Sequence, residues 1–368
     1  MPKASLRILL AAGGTAGHVE PALAVGKWIH SHHPEISVEF LGTPSGIENS
    51  LVPQSGFTLK HVKKAPLPRK PSFEALAFPF HFARSITQTF QALKGIDALV
   101  GFGGYVSASA YCVAAIKRIP IYVHEANALP GFANRLGAPF SKKVMIAFTE
   151  TKSRGAIWNS ATCVGIPLRR EIVELVQLSG SARDGIRIEK AREWGFDPKR
   201  PIVLVFGGSQ GSAHINRVVA QSRDVISSSG IQVVHAVGKK NDLPEGGAGY
   251  FALPYFEDMA KAYAAADLVI SRSGAVTCYE LGVLGIYALL VPLPIGNGEQ
   301  RLNGEALVQA GGASIIANAE FTSEWLGKNL ISLLTSAKNW KGQSLKYPLN
   351  SAELIAKEIV RDLGVITG

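Results

Sequence analysis

The sequence predicts an α/β protein built as two Rossmann-like, doubly wound domains, and three observations carry that expectation. The apolar run Arg7 to Ala12 opens into Gly13-Gly-Thr-Ala-Gly17-His18 and then into a helical pattern, a strand–glycine loop–helix unit. Far downstream the unit recurs as Pro201-Ile-Val-Leu-Val-Phe-Gly-Gly208-Ser-Gln-Gly211. At 368 residues, 47% hydrophobic and 18% charged, the chain is too long for one ordinary core and well supplied for two.

Composition then narrows the partners. A net charge of +10 asks for an anionic one: nucleic acid, a phosphorylated substrate or an anionic membrane surface. The basic residues are scattered and form no nucleic-acid motif, which argues against nucleic acid. Cys112, Cys163 and Cys278 stand apart, with neither a disulfide framework nor zinc spacing, so a reducing cytoplasm is expected. Lys3 and Arg7 precede Ile8 to Ala12, a run too short for a signal core. No apolar run reaches the roughly 20 residues of a membrane span. The expectation is a protein that lies on a membrane without crossing it.

In chain order, the first glycine loop leads into a helix from Pro21 to His30. Its glycines allow tight turning and close approach to a phosphate or sugar, but their spacing is not the dinucleotide fingerprint. His18, at the loop–helix junction, is open to two readings, general base or capping residue. His30, His32 and His33 close the helix, where the dipole accounts for them better than a metal does. A strand follows at Val38 to Leu41 and a short helix from Ile47.

Residues 60–90 put Lys60, Lys63, Lys64, Arg69 and Lys70 before Phe73, Leu76, Phe78, Phe80 and Phe82. That is either an interfacial membrane patch or a basic loop before a core helix. The strand Ala98 to Val100 ends in Gly101-Phe-Gly-Gly104-Tyr105, and Ile121 to Val123 ends in His124-Glu-Ala-Asn127. Ligands in open α/β sheets lie beyond the carboxyl ends of strands, so these three loops share one rim. Strands at Val144 to Ala147 and Ala161 to Val164 complete the half, and Leu178 to Arg187, rich in Ser, Gly and charge, reads as a flexible insertion.

In the second half Val233 to Val237 is a strand, and Tyr255-Phe-Glu-Asp-Met259 begins a loop and helix. The buried strand Leu268 to Ile270 is followed by the turn Ser271-Arg-Ser-Gly274, with Ser273 as expected N-cap, and by a helix Ala275 to Leu284 carrying Glu280. A further strand, Tyr287 to Val291, leads to the polar loop Gly296 to Gln300 and a helix with Asn303. A helix N-terminus suits a phosphate and the acidic and amide groups suit sugar hydroxyls, so this stretch suggests a nucleotide-sugar site. Ser351 to Asp362 is a helix expected to pack back on the first domain. Domains are therefore expected at 1–164 and 165–345, with 346–368 as the returning helix.

The sequence resembles the MurG family through GGTAGH (13–18), GFGGYVS (101–107), HEAN (124–127), GIPLR (165–169), GGSQG (207–211), FEDM (256–259), RSGAVTCYE (272–280) and the Gln300 to Asn303 region, in the family's order across nearly the whole chain. The resemblance implies the two-Rossmann GT-B glycosyltransferase fold with an interdomain cleft. It implies transfer, with inversion, of N-acetylglucosamine from UDP-N-acetylglucosamine to the 4-hydroxyl of undecaprenyl-diphospho-N-acetylmuramoyl-pentapeptide, on the cytoplasmic face of the cell membrane. Alternatives are a diacylglycerol glycosyltransferase, a UDP-sugar epimerase of similar fold and a non-catalytic UDP-sugar sensor. By resemblance the donor meets Phe256 at the uracil, Glu280 at the ribose, Arg169, Ser209 and the backbone of Ala275, Val276 and Thr277 at the diphosphate, and Gln300 at the sugar. Thr15, Ala16, Gly17 and Asn127 close over it from the first domain, and Gly104 and Tyr105 meet the acceptor. His18 is the leading catalytic base, with Glu125 second. No D-x-D motif is present, so neither an obligatory metal nor a cofactor is expected. Cell-wall or division proteins are possible partners. Ala16 replaces a glycine usual in the first loop, a change tolerated only at negative φ.

Overall fold

The computed structural model describes residues 6–63, 73–208, 210–294 and 297–365, apart from the side chains of 73–79, 81 and 82. It divides into two units, Met1–Arg169 with Pro348–Gly368, and Arg170–Tyr347.

The first unit holds seven parallel strands: β1 (Arg7–Ala11), β2 (Ser37–Gly42), β3 (Thr58–His61), β4 (Ala98–Gly101), β5 (Ile121–Glu125), β6 (Lys143–Ile146) and β7 (Thr162–Cys163), in the order β3-β2-β1-β4-β5-β6-β7. Successive residues of β1 point to opposite faces, and both faces are covered. Ile8 and Leu10 pack with Val25, Ile29 and Phe40, while Leu9 and Ala11 pack with Leu99, Tyr111 and Val123. The helix Ser351–Asp362 lies on the helix Ala16–His32 and buries Ile355 and Ile359 in the first of these clusters. Each such side chain contributes about 2 kcal/mol through burial. Polar ties add to it: Tyr122 donates to Asp362 (3.0 Å), Lys142 pairs with Asp362 (3.2 Å) and Lys143 pairs with Glu358.

The second unit repeats the plan with six parallel strands: β8 (Ile202–Phe206), β9 (Gln232–Ala236), β10 (Tyr250–Leu253), β11 (Leu268–Ser271), β12 (Ala288–Leu290) and β13 (Ala313–Ile315), in the order β10-β9-β8-β11-β12-β13. In each sheet the strand order reverses beside the first strand, between β1 and β4 and between β8 and β11. That switch point is where an open sheet leaves room for a ligand.

Several local expectations change. The segment 178–187 is no flexible insertion. Ser179 caps a helix, Gly180–Glu193, by accepting from the Ala182 N–H (3.3 Å). Its charges dock it: Arg187 pairs with Asp267 (2.8 Å) and Arg183 donates to the Leu175 carbonyl (2.8 Å). The first helix starts at Ala16 with Thr15 as N-cap, so His18 lies inside its first turn and Pro21 inside the helix. Gly274, not Ser273, caps the helix Ala275–Leu284, and the buried Ser273 hydroxyl has no hydrogen-bond partner among the described residues. Strands β3, β10 and β13 escaped the sequence reading because each is a short strand at the edge of its sheet, half-buried or exposed over most of its length. The terminal histidines of the first helix have ordinary partners: His32 stacks on Trp28 (ring centroids 4.1 Å apart) and His33 lies 3.2 Å from Glu35.

Candidate active site

At the switch point of the first sheet the loops after β1 and β4 touch. Gly104 has φ 81°, and a Cβ built there would stand 2.6 Å from the Gly13 carbonyl oxygen. Only glycine serves both demands at once. Tyr105, next in the chain, is 40% exposed. His18 is half-buried, with Nδ1 3.2 Å from Thr15 Oγ1 and its Nε2 side against Gly103. Burial lowers its pKa below the ordinary histidine value, while the Gly13 backbone and the Glu48 charge act to raise it. The imidazole is thereby held neutral at pH 7, the form a general base requires. Arg118 is the sole non-glycine residue with positive φ among the described residues, so Ala16 sits in ordinary helical backbone.

The β5 loop is knotted around Glu125. Its buried carboxylate accepts from the Asn127 N–H (2.9 Å), Asn127 Nδ2 (3.0 Å), the Gly131 N–H (2.8 Å) and Asn134 Nδ2 (2.9 Å). Burial raises its pKa, and those four donors pull it back. Tyr111 donates to Asn134 Oδ1 (2.8 Å), so the network is anchored in the core. A carboxylate occupied on both oxygens organises its loop more readily than it collects a substrate proton. Beside it, His124 is fully buried, lies 2.9 Å from the Gly165 carbonyl oxygen through Nε2, and is pushed down to about 4 by burial.

In the second sheet, Gly208 and Gly211 turn the loop after β8 with φ 85° and 75°. Ser212 caps the helix Ala213–Gln221. Behind this loop stands Arg272, 9% exposed, with no carboxylate partner among the described residues. It donates to Ser212 Oγ (2.8 Å), the Val291 carbonyl (2.9 Å), the Pro292 carbonyl (3.2 Å) and Asn318 Oδ1 (2.7 Å). Burial lowers its pKa, yet an arginine remains charged, and the cation ties the ends of β11, β12 and β13 to the glycine loop. Next to it, helical geometry leaves the first-turn N–H groups of Ala275, Val276 and Thr277 without intrahelical acceptors, an arrangement suited to phosphate.

The remaining expected residues fall as follows. Glu280 is buried and accepts from the Tyr263 hydroxyl (2.9 Å). Gln300 accepts the Leu293 N–H (2.9 Å), which fixes its side chain at the end of β12. Phe256 is buried, its ring 6.4 Å from that of Trp194, so it packs into the unit more than it projects. Arg169 is half-buried at the end of the first unit, and Ser209 lies outside the described residues. Within the first unit the folding gathers Thr15, Gly17, His18, Gly104 and the Glu125 loop at one sheet edge; within the second it gathers Ala275 to Thr277, Glu280 and Gln300. Sequence reasoning missed Glu48, Asn134 and Arg272 as supports. Asn134 and Glu48 carry no local signal, whereas Arg272 stood in plain view in the turn after β11.

Of the basic-aromatic segment, Lys64, Arg69 and Lys70 and the side chains of Phe73, Leu76, Phe78 and Phe82 lie outside the described residues. Phe80 is 79% exposed on the helix Phe73–Ala92. Lys60 is no free surface charge, since it pairs with Glu39 (2.6 Å).

Comparison with known proteins agrees with both halves. Residues 8–146 match the glycosyltransferase family 28 N-terminal domain and residues 202–359 match the glycosyltransferase family 28 C-terminal domain. A relative from Thermobifida fusca, named UDP-N-acetylglucosamine--N-acetylmuramyl-(pentapeptide) pyrophosphoryl-undecaprenol N-acetylglucosamine transferase, is 46% identical over 90% of this chain and 86% of its own. A relative of the same name from Corynebacterium efficiens is 45% identical over 88% of this chain and 87% of its own. The crystal structure of Acinetobacter baumannii MurG superposes with a TM-score of 0.69 at 26% identity, covering 97% of this chain and 99% of that one. The chain belongs to the MurG family of glycosyltransferases.

Proposed function

We propose that this chain transfers N-acetylglucosamine from UDP-N-acetylglucosamine to the lipid-linked N-acetylmuramoyl-pentapeptide of peptidoglycan synthesis, turning lipid I into lipid II. The observation that carries this is the 46% identity, over 90% of the chain, to a transferase named for that reaction. In this mechanism the 4-hydroxyl of the acceptor sugar attacks the anomeric carbon as His18 takes its proton. The anomeric carbon–oxygen bond breaks, and UDP departs with the electron pair on its diphosphate. Inversion at the anomeric carbon follows from this single displacement.

His18 is favoured over Glu125 because the carboxylate is committed to four donors in its own loop. Arg169, Ser209 and the N–H groups of Ala275, Val276 and Thr277 hold the diphosphate and stabilise the leaving charge, the work a divalent ion does elsewhere. Glu280 accepts from the ribose hydroxyls, Gln300 reads the sugar, and the loop at Phe256 borders the uracil. Thr15, Ala16, Gly17 and Asn127 complete donor binding, and Gly104 and Tyr105 meet the acceptor diphosphate.

The acceptor is lipid-anchored, and no helix among the described residues is long and apolar enough to cross a membrane. Exposed Phe80 and the net charge of +10 support docking on an anionic inner-leaflet surface through the 60–90 segment. Transfer of labelled N-acetylglucosamine to a short-chain lipid-diphospho-muramoyl-pentapeptide in EDTA tests the whole reading. Turnover is expected; UDP binding without turnover on that acceptor would contradict it.

A further inference from the structure

Glu48 is an acidic residue fully removed from solvent, with no lysine or arginine paired to it among the described residues. Its carboxylate accepts from the Thr43 N–H (2.8 Å), the Thr43 hydroxyl (2.9 Å) and the Gly14 N–H (3.1 Å). Burying a charge without a counter-ion is costly, and three donors offset only part of that cost. Hydrophobic packing would fill the same space without the cost, so the anion at this place calls for a use.

The geometry around it is built for the carboxylate. Cβ atoms added at Gly13, Gly42 or Gly46 would all run into the Glu48 side chain, the first of them at 2.8 Å from Oε1. Glycines from the loops after β1 and β2 thus make the cradle. Through Gly14 the carboxylate holds the loop that leads into the helix bearing His18, and through Thr43 it ties that loop to the end of β2. We propose that Glu48 is a positioning residue for His18, fixing the first glycine loop through the Gly14 N–H and supplying a fixed negative charge that acts on the imidazole. This rests on the reading of His18 as the base.

The electrostatics agree. The charge of Glu48 acts to raise the His18 pKa against the lowering by burial. The other titratable group acting on this pair of loops is His124 on β5, which burial keeps neutral. The loop after β4 brings the Gly103 backbone to the ring. Burial has the largest influence on the imidazole, and Glu48 is the fixed charge that acts with the Gly13 backbone against it, keeping the base stronger than burial alone would leave it.

Glu48→Gln keeps the shape and can accept both Thr43 donors through its oxygen, but it removes the charge and sets an NH2 group against the Gly14 N–H. Two readouts are taken on the full chain: kcat with KM for UDP-N-acetylglucosamine, and the His18 imidazole titration by NMR, assigned with His18→Gln. Expected are a loss of about tenfold in kcat, the scale of one charge-assisted hydrogen bond, a KM changed less than about twofold, and a His18 titration moved to lower pH. An unchanged titration and unchanged kcat in the folded variant would overturn the proposal. A moved titration with unchanged kcat would leave Glu48 acting on His18 and would remove His18 as base, so the two failures are distinguishable. Glu48→Asp provides a second variant should the amide not fold. It keeps the charge but shortens the reach to Gly14, so kcat should fall while the titration stays closer to wild type; full activity in Glu48→Asp would count against the positioning role.

Discussion

The loops after β1 and β8 occupy the same place in their sheets, yet opposite charges stand behind them. Buried Glu48 holds Gly14 in the first unit, and buried Arg272 holds Ser212 in the second. Each charge is satisfied by neutral donors or acceptors instead of an opposite ion. An anion behind the first loop favours proton uptake by a histidine, and a cation behind the second favours departure of a diphosphate. In the proposed mechanism one supersecondary unit thus serves proton uptake and the other diphosphate binding, and the difference lies in a single buried side chain beneath each loop.

The largest effect that could break this comparison is at the proposed base. His18→Ala is expected to lower kcat by roughly 10²–10⁴-fold, the usual contribution of a general base, with a small change in KM for the donor. Steady-state kinetics at saturating acceptor check it, and a loss confined to KM would assign His18 to binding.

Next comes Arg272→Met, which strands the buried Val291 carbonyl and the half-buried Pro292 carbonyl and Asn318 side chain. Loss of one charged partner in such a set costs about 3 kcal/mol, and UDP affinity should fall with it. Urea unfolding with and without UDP reads both; weaker UDP binding at full stability would mean that the cation acts on the ligand without organising the loop.

Glu125→Gln sharpens the first half. If the carboxylate organises its loop, the variant loses about 2 kcal/mol of stability, and its kcat keeps the wild-type shape of pH dependence. A flattened pH profile at unchanged stability would make Glu125 the base instead.

The smallest effect is a stability trend. His124 and His235 are each pushed down to about 4 by burial, against about 6.5 in an unfolded chain. A histidine kept neutral on folding contributes fully above pH 6.5, and that contribution drains away as pH falls from 6.5 towards 4. Denaturant midpoints should therefore fall over that window, and fall less in His235→Gln if that variant folds.

Much of the fold was legible because buried parallel strands write continuous apolar runs: β1, β5, β8 and β11 all stood out. β3, β10 and β13 did not: each stands at the edge of its sheet and is half-buried or exposed over most of its length, so no buried run marks it. The segment 178–187 misled for a physical reason. Its arginines, which suggested solvent, are spent on backbone carbonyls and Asp267. At the site, the glycine loops and the RSGAVTCYE turn declared themselves through residues that act by backbone geometry. Glu48 and Asn134 did not, because a buried carboxylate or amide looks like any surface residue until distant chain segments close over it.

The most direct measurement is the pH dependence of kcat/KM for wild type and His18→Gln on a short-chain lipid-linked acceptor. With burial holding the His18 pKa below its ordinary value, the wild-type acid limb should fall below pH 6.5 and vanish in His18→Gln. The same limb persisting in His18→Gln would contradict the account and move the base elsewhere in the first unit.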